Sequence, residues 1–364
     1  MRSNLYTAVN ALSKFTIAGT PVGCAPYGNG HINDTYCAVT EETSGNHRYI
    51  LQALNSNVFK QPDKVMENIA AVIEHLHTKT DDPRAVMTLV PTDDGQVYYR
   101  DGNGLFWRLY EFVEGSLCLE KPETAEDFYQ SALAFGRFQR DLSDFPADKL
   151  NETIVNFHNT PVRYADFLAA VKADKMGRAK DVQKEIQFVM DRADFYPVLM
   201  EAHKNGELPL RVSHNDTKIN NVLLDATTRT ALCVIDLDTI MPGFSVTDFG
   251  DSIRFGASTA AEDEKDLDKV WMDLELFETY AKGFLTGCGG SLPHSEIMLL
   301  PEGAKMMTIE CGMRFLADYL EGDTYFRTHY PTHNLDRCRT QFKLVADMEA
   351  KWDKMKEIVA AYCR

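Results

Sequence analysis

Between Ile17 and Val113 apolar residues come in short runs broken by Gly, Asn and Asp, whereas beyond Glu114-Gly115 they recur three and four residues apart. In the first half Tyr36-Cys37-Ala38-Val39, Tyr49-Ile50-Leu51-Gln52, Val97-Tyr98-Tyr99-Arg100 and Phe106-Trp107-Arg108-Leu109-Tyr110 have strand composition. Asp101-Gly102-Asn103-Gly104 supplies a hairpin turn between the last two. Val65, Ile69, Val72, Ile73 and Leu76 fall on one helical stripe. The pattern predicts a small antiparallel sheet carrying one helix.

In the second half Thr124 stands before Asp127 in a capping arrangement and opens a helix through Phe128, Ala132, Phe135, Phe138 and Leu142. Further helices are predicted at about 161–173, 179–204, 262–285, 303–320 and 335–362. Within this helical half, 221–225 and 232–236 read as two strands joined across Ala226-Thr227-Thr228-Arg229-Thr230. There is no internal repeat or low-complexity segment. The chain therefore reads as α+β with two lobes, a small β-rich lobe over 1–112 and a large helical lobe over 113–364, with a cleft between them.

Composition narrows the partners. The 364 residues, 44% hydrophobic and 25% charged, suffice for a sizeable core. With 54 acidic against 38 basic residues the net charge of −16 disfavours nucleic acid or an anionic membrane as the main partner. No signal peptide or membrane span is read, so a cytoplasmic location is expected. The eight cysteines (Cys24, Cys37, Cys118, Cys233, Cys288, Cys311, Cys338 and Cys363) form no C-x-x-C pair. They predict neither a zinc site nor a disulfide framework, and most are expected to be small buried hydrophobes.

The chemistry concentrates in Val212-Ser213-His214-Asn215-Asp216-Thr217-Lys218-Ile219-Asn220-Asn221, followed by Val234-Ile235-Asp236. This places a carboxylate, an amide five residues later and a second carboxylate twenty residues later on consecutive pieces of backbone. Phosphoryl transfer needs such a set: an Asp to take the acceptor's hydroxyl proton, and an Asn with an Asp to hold magnesium. His-x-Asp-x-x-x-x-Asn alone also describes a polar turn before a strand; the hairpin ending at Asp236 makes the combination specific. His214 is expected to support the loop. Asp248-Phe249-Gly250 spells the protein-kinase magnesium motif but follows Asp216 by 32 residues. The metal is therefore assigned to Asp236, Asp248 is expected to brace the loop, and Asp238 is near enough in sequence to share Asp236's task. Gly28-Asn29-Gly30-His31-Ile32-Asn33-Asp34 joins a turn to a strand, as a phosphate-covering loop does and as an ordinary hairpin also does.

Ser213–Asn221, Phe157-His158-Asn159-Thr160-Pro161, Trp107-Arg108-Leu109-Tyr110-Glu111-Phe112 and Arg314-Phe315-Leu316-Ala317-Asp318-Tyr319-Leu320 resemble the aminoglycoside phosphotransferase and choline kinase superfamily. Within it they are most similar to the bacterial N-acetylhexosamine 1-kinases. The resemblance implies a protein-kinase-like fold, with the 1–112 lobe for nucleotide, the 113–364 lobe for catalysis and substrate and the ATP cleft between them, and with Asp216 as base and as a ligand of the reacting hydroxyl. It makes Asn221 and Asp236 the magnesium ligands and points Lys218 at the γ-phosphate. Gly28 and Gly30 would cover the phosphates, and the backbone of Glu111-Phe112-Val113 would bind adenine. Arg314 and Tyr325, with His31 and Asp34 from the loop, would hold the acceptor. One position departs from protein kinases: Gln52 stands where the phosphate-binding strand lysine is expected, and an amide supplies no charge. Lys218 and magnesium are expected to compensate, leaving Glu67 and Glu74 as surface residues. His329 and His333, with Pro331 between them, read as loop residues.

The activity this implies is ATP- and Mg2+-dependent phosphorylation of the anomeric hydroxyl of an N-acetylhexosamine. Two alternatives stay open. A same-fold kinase for an aminoglycoside, choline or homoserine would use Asp318, Glu321 and Asp323 around a cationic acceptor. A nucleotide-binding pseudokinase is suggested by Gln52 and opposed by the intact Asp216, Asn221 and Asp236.

Overall fold

The computed structural model describes residues 3–28, 30 and 32–363. Helix α1 (Leu5–Leu12) starts at a reciprocal cap between Asn4 and Thr7. It is followed by β1 (Thr20–Pro26), β2 (Asp34–Glu42), β3 (Gly45–Leu54), α2 (Pro62–His77), β4 (Leu89–Val90), β5 (Tyr99–Arg100) and β6 (Phe106–Glu111). The strands form a six-stranded antiparallel sheet in the order β1-β2-β3-β6-β4, with β5 also paired to β6. Tyr36, Ala38, Tyr49, Leu51, Trp107 and Leu109 turn one face onto α1 and Phe15. On the other face α2 packs Val65, Met66, Ile69 and Ile73 beside Tyr110.

The second lobe contains β7 (Ser116–Cys118), α3 (Ala125–Asp141), α4 (Thr160–Ala173), α5 (Gln183–Met190), α6 (Val198–Lys204), β8 (Arg211–Ser213), β9 (Val222–Asp225), β10 (Ala231–Val234) and β11 (Met241–Gly243). It ends in α7 (Ser245–Gly256), α8 (Leu274–Cys288), α9 (His294–Ile297), α10 (Leu300–Glu321), α11 (His333–Ala350) and α12 (Trp352–Tyr362). Strands β10, β9 and β7 form one small sheet, and β11 pairs with β8 in another. Phe249 sits at the centre of the helical core with Phe277, Tyr280 and Phe284 edge-on around it. A Cβ on Gly303 would lie 2.0 Å from the Val246 carbonyl oxygen, and one on Gly250 would lie 2.2 Å from that of Gly303. Only glycines let α7 and α10 approach this closely.

The lobes share a seam. Phe138, Leu142, Val212, Leu237 and Ile240 join the α2 core from the second lobe. Buried Asn68 on α2 donates to the carbonyls of Asn151 at 2.8 Å and Ile240 at 2.9 Å. Among the described residues no helix is long and apolar enough to cross a membrane.

Several expectations are corrected. The predicted strand at 97–100 is only Tyr99–Arg100. The helix expected over 179–204 is divided: α5 ends at Met190, a short turn covers Ala193–Phe195, and Pro197, which has no N–H to donate, stands just before α6. The helix expected from 262 begins at Leu274, where the Asp273 side chain caps the Glu275 and Leu276 amides. The segment over 335–362 breaks between α11 and α12 at Lys351. His333 is not a loop residue: it opens α11, is buried, and faces Asp263 at 3.1 Å. Of the cysteines only Cys233, Cys288 and Cys338 are buried among the described residues, and Cys118 is exposed. Glu67 and Glu74 are on the surface, as expected.

Candidate active site

Short strands present the motif residues at the seam. The loop leaving β8 passes through His214, Asn215 and Asp216, makes a single turn over Ile219–Asn221 and enters β9. Antiparallel pairing of Val222 with Val234 brings the end of β10 back beside Asn221, and the Ile235 amide donates to the Asn221 carbonyl at 2.9 Å. Asp236 is thus returned to the neighbourhood of Asp216 across the twenty-residue interval. Asp236 (φ +61°) and Asn215 (φ +64°) both adopt the left-handed conformation, a strain that recurs at functional loops.

Asp216 is held on both carboxylate oxygens. Lys218 Nζ lies 2.9 Å from Oδ1, and Asn221 Nδ2 donates to Oδ2 at 3.2 Å and to the Asp216 carbonyl at 2.7 Å. Because the Asn221 amide nitrogen is committed to Asp216, its carbonyl oxygen is the side left for a ligand. Burial opposes the charge on Lys218, but Asp216 and Asp251 outweigh it and keep the ammonium above its ordinary value. Asp236 is exposed by surface area, although atoms crowd around its carboxylate. Desolvation by that crowding, then the charges of Asp238 and Asp216, push its carboxyl upward.

Asp248, on the first turn of α7, accepts from the amides of His214 at 2.9 Å and Asn215 at 2.8 Å, and from Gln139 Nε2 at 3.0 Å. It braces the loop from behind. His214 is fully buried between Phe135 and Phe138, with Nε2 2.9 Å from the Ile235 carbonyl, so it too is internal support. Asp251 adds a bond from the Thr217 amide at 3.2 Å.

Gly28 (φ +75°) occupies a conformation that favours glycine, and Gly30 borders open space. His31 lies outside the described residues. The Asp34 side chain accepts from the Ser3 amide and hydroxyl, each at 2.8 Å, and not from the Asp216 loop. At the end of β6, Glu111 turns its side chain to His47 at 2.5 Å. The Val113 carbonyl accepts from Ser116 Oγ at 2.6 Å. Arg314 on α10 lies 5.7, 5.6 and 5.5 Å from the ring centroids of Phe157, Tyr325 and Phe326, and 3.4 Å from the Tyr325 hydroxyl.

Sequence reasoning passed over Arg108, Asn33 and Asn68. Gln52 Oε1 accepts from Arg108 Nε at 2.9 Å and Nη2 at 2.8 Å. Arg108 Nη1 pairs with Asp238 Oδ1. Asp238 is consumed by this pair and by Asn33 Nδ2 at 2.5 Å, so it does not share Asp236's role. The available signal was an arginine among the apolar residues of a strand.

Among the described residues no three His, Cys, Asp or Glu side chains converge as a self-contained metal cage. The donors beside Asp216 are instead the Asp236 carboxylate and the Asn221 carbonyl oxygen. These hard oxygens fit magnesium, which takes few protein ligands and completes its shell with phosphate and water.

A sequence model of the phosphotransferase enzyme family matches residues 23–278, from β1 through the Asp216 loop into α8. The chain belongs to this family. Solved structures of similar fold include the microcompartment-associated aminopropanol kinase, with 18% identity, coverage of 97% of this chain and 99% of that one, and a TM-score of 0.65. Choline kinase from Cryptosporidium parvum Iowa II is 12% identical over 94% of this chain and 93% of its own, with a TM-score of 0.55. The GDP complex of aminoglycoside 2'-phosphotransferase-IIIa is 13% identical, covers 93% and 99%, and has a TM-score of 0.57. The two-lobed kinase-like α+β fold is common to this phosphotransferase and all three.

Proposed function

We propose that this protein is a small-molecule kinase that transfers the γ-phosphoryl group of ATP to the anomeric hydroxyl of an N-acetylhexosamine. The observation that favours a neutral sugar over a cationic alcohol is the fate of the three acidic residues near the acceptor end. Asp318 is filled by the amides of Thr324, Tyr325 and Phe326 and by Asn334 Nδ2. Asp323 pairs with Arg178 at 2.7 Å, and Glu321 lies 3.4 Å from Lys175 at the surface. Asp318 and Asp323 are thus engaged by protein partners, and Glu321 stands at the solvent-exposed surface. What remains is Arg314 among aromatic rings, a combination that suits the amide and hydroxyls of a sugar.

In this reading Asp216 accepts the proton of the acceptor hydroxyl as its oxygen bonds to the γ-phosphorus and the bond to the β-phosphate oxygen breaks, releasing ADP. Lys218 moves from Asp216 toward the γ-phosphate as the acceptor takes its place. The Gly28–Gly30 loop covers the phosphates, and the Glu111–Val113 backbone meets adenine. Arg314 and Tyr325, with His31, hold the sugar; Asp34 is the weakest of the proposed contacts because Ser3 occupies it. Magnesium, held by Asn221 Oδ1 and Asp236, would supply positive charge to the phosphate oxygens, and catalysis otherwise rests on alignment. The anomeric hydroxyl is more acidic than the other sugar hydroxyls, so a modest base suffices.

The test is ADP release with N-acetylglucosamine, N-acetylgalactosamine, choline, aminopropanol and an aminoglycoside as acceptors. The N-acetylhexosamines are expected to exceed the amino alcohols in kcat/KM by about 100-fold or more. A cationic acceptor at the head of the ranking would overturn the assignment.

A further inference from the structure

The cation absent from β3 is present one strand away. Gln52 stands directly opposite Arg108 on β6, and Thr35 stands opposite Gln52 on β2, so the three side chains form a row across one face of the sheet. Gln52 Nε2 donates to Thr35 Oγ1 at 3.1 Å while its Oε1 receives two bonds from Arg108. The guanidinium is 1% exposed and lies 5.3 Å from the Tyr110 ring centroid. Burial opposes its charge, but Asp238 and the acidic groups around it keep it protonated.

A buried arginine is costly unless its partners are fixed, and here each partner belongs to a different part of the cleft. Gln52 belongs to the sheet. Asp238 lies two residues beyond Asp236 on the single turn Leu237–Thr239. The second oxygen of Asp238 is held by Asn33, in the segment that joins the glycine loop to β2. Helix α2 offers Arg108 only the Met66 sulfur, 4.0 Å from Nη1, and no carboxylate. In protein kinases the strand lysine is oriented by a helix glutamate. Here the cation is oriented by the turn that carries the metal carboxylate.

We propose that Arg108 is a positioning residue of the nucleotide site: through Asp238 it fixes the Asp236 turn for a magnesium-bound nucleotide and, through Asn33, ties the glycine loop to that turn. Gln52 is then the bracket for a displaced cation rather than a lost lysine. With Nε, Nη1 and Nη2 engaged and almost no exposure, Arg108 acts through Asp238 and does not touch phosphate. This rests on the reading of the cleft as a nucleotide site, so the test reads nucleotide binding without an acceptor.

Calorimetric binding of ADP to the full chain, with and without magnesium, is compared for wild type, Arg108→Gln, Asn33→Ala, and Gln52→Lys combined with Arg108→Gln. Arg108→Gln is expected to weaken MgADP binding by about 10- to 100-fold, the cost usual for groups that orient a metal ligand, and to leave metal-free ADP binding nearly unchanged. The double variant returns a cation to the same row and should regain most of the loss. Should Arg108→Gln fail to fold, Asn33→Ala removes two bonds at the cleft edge, the one to Asp238 and the one accepted from the Asn55 amide at 3.0 Å, and is expected to stay folded and to weaken MgADP binding selectively. Equal weakening with and without magnesium, or wild-type MgADP binding by the folded variants, overturns the proposal. Failure of the wild-type protein to bind MgADP overturns the nucleotide reading on which it rests.

Discussion

Replacing Asp248 by Asn separates a brace from a metal ligand. The side chain is buried, Oδ2 receives the His214 amide and Gln139 Nε2, and Oδ1 receives the Asn215 amide. Asn keeps the shape but has one accepting oxygen. Whichever way it turns, at least one buried N–H then faces an NH2 group. Leaving a buried donor unsatisfied costs about 1–3 kcal/mol, and the lost charge on the remaining bonds adds about 1 kcal/mol. Burial pushes the Asp248 carboxyl upward, so removing its charge offsets part of this. A net loss of about 2 kcal/mol is expected, read as a lower urea midpoint at unchanged slope. Turnover should fall with it, because His214 and Asn215 carry Asp216. If the midpoint is unchanged while turnover collapses, Asp248 is a ligand and not a brace. If neither moves, the loop is held by something else.

Asp216→Asn should lower kcat by about 10²–10⁴-fold, the range for a lost general base, with KM for MgATP little altered; retention of full turnover sinks the assignment. Gly303→Ala pushes a methyl into the Val246 carbonyl at 2.0 Å and should destabilise by about 1–3 kcal/mol, measured by thermal or urea unfolding; a neutral result would show that α7 and α10 can separate freely. Burial works against ionised Glu310, but His158 at 2.9 Å and Thr160 at 2.5 Å hold its carboxyl below the ordinary 4.5. Its contribution is therefore fully present above pH 4.5 and lost as pH falls through the lower folded value. The unfolding midpoints of wild type and Glu310→Gln should differ at pH 6 and converge toward pH 3; a gap that does not change with pH contradicts this.

Local patterns carried much of the fold. The alternation around Tyr36 and Tyr49 and the cap at Thr124 are signals within a few residues of one another and formed as read, whereas the hairpin strand expected over 232–236 is Ala231–Val234, and Asp236 lies beyond it in a left-handed conformation. Helix α7 has only Val246, Phe249 and Ile253 at helical spacing, and its buried Asp248, Asp251 and Arg254 blur the apolar stripe, so no local pattern marks it. Its Gly250 turned out to serve the close approach to α10. The Arg108–Asp238 pair joins residues 130 apart, and the Asn33 contact spans 205. Such pairs depend on how the lobes meet, which no local period encodes. Gln52 illustrates the consequence: as a strand position it is a missing lysine, and only the neighbouring strand shows where the charge went.

The most direct measurement is a proton–phosphorus NMR correlation on the product formed from MgATP and N-acetylglucosamine. The account predicts a new phosphorus resonance coupled to the anomeric proton, absent with Asp216→Asn. Phosphate coupled to any other position of the sugar, or no sugar phosphate at all while an amino alcohol is phosphorylated, would contradict it.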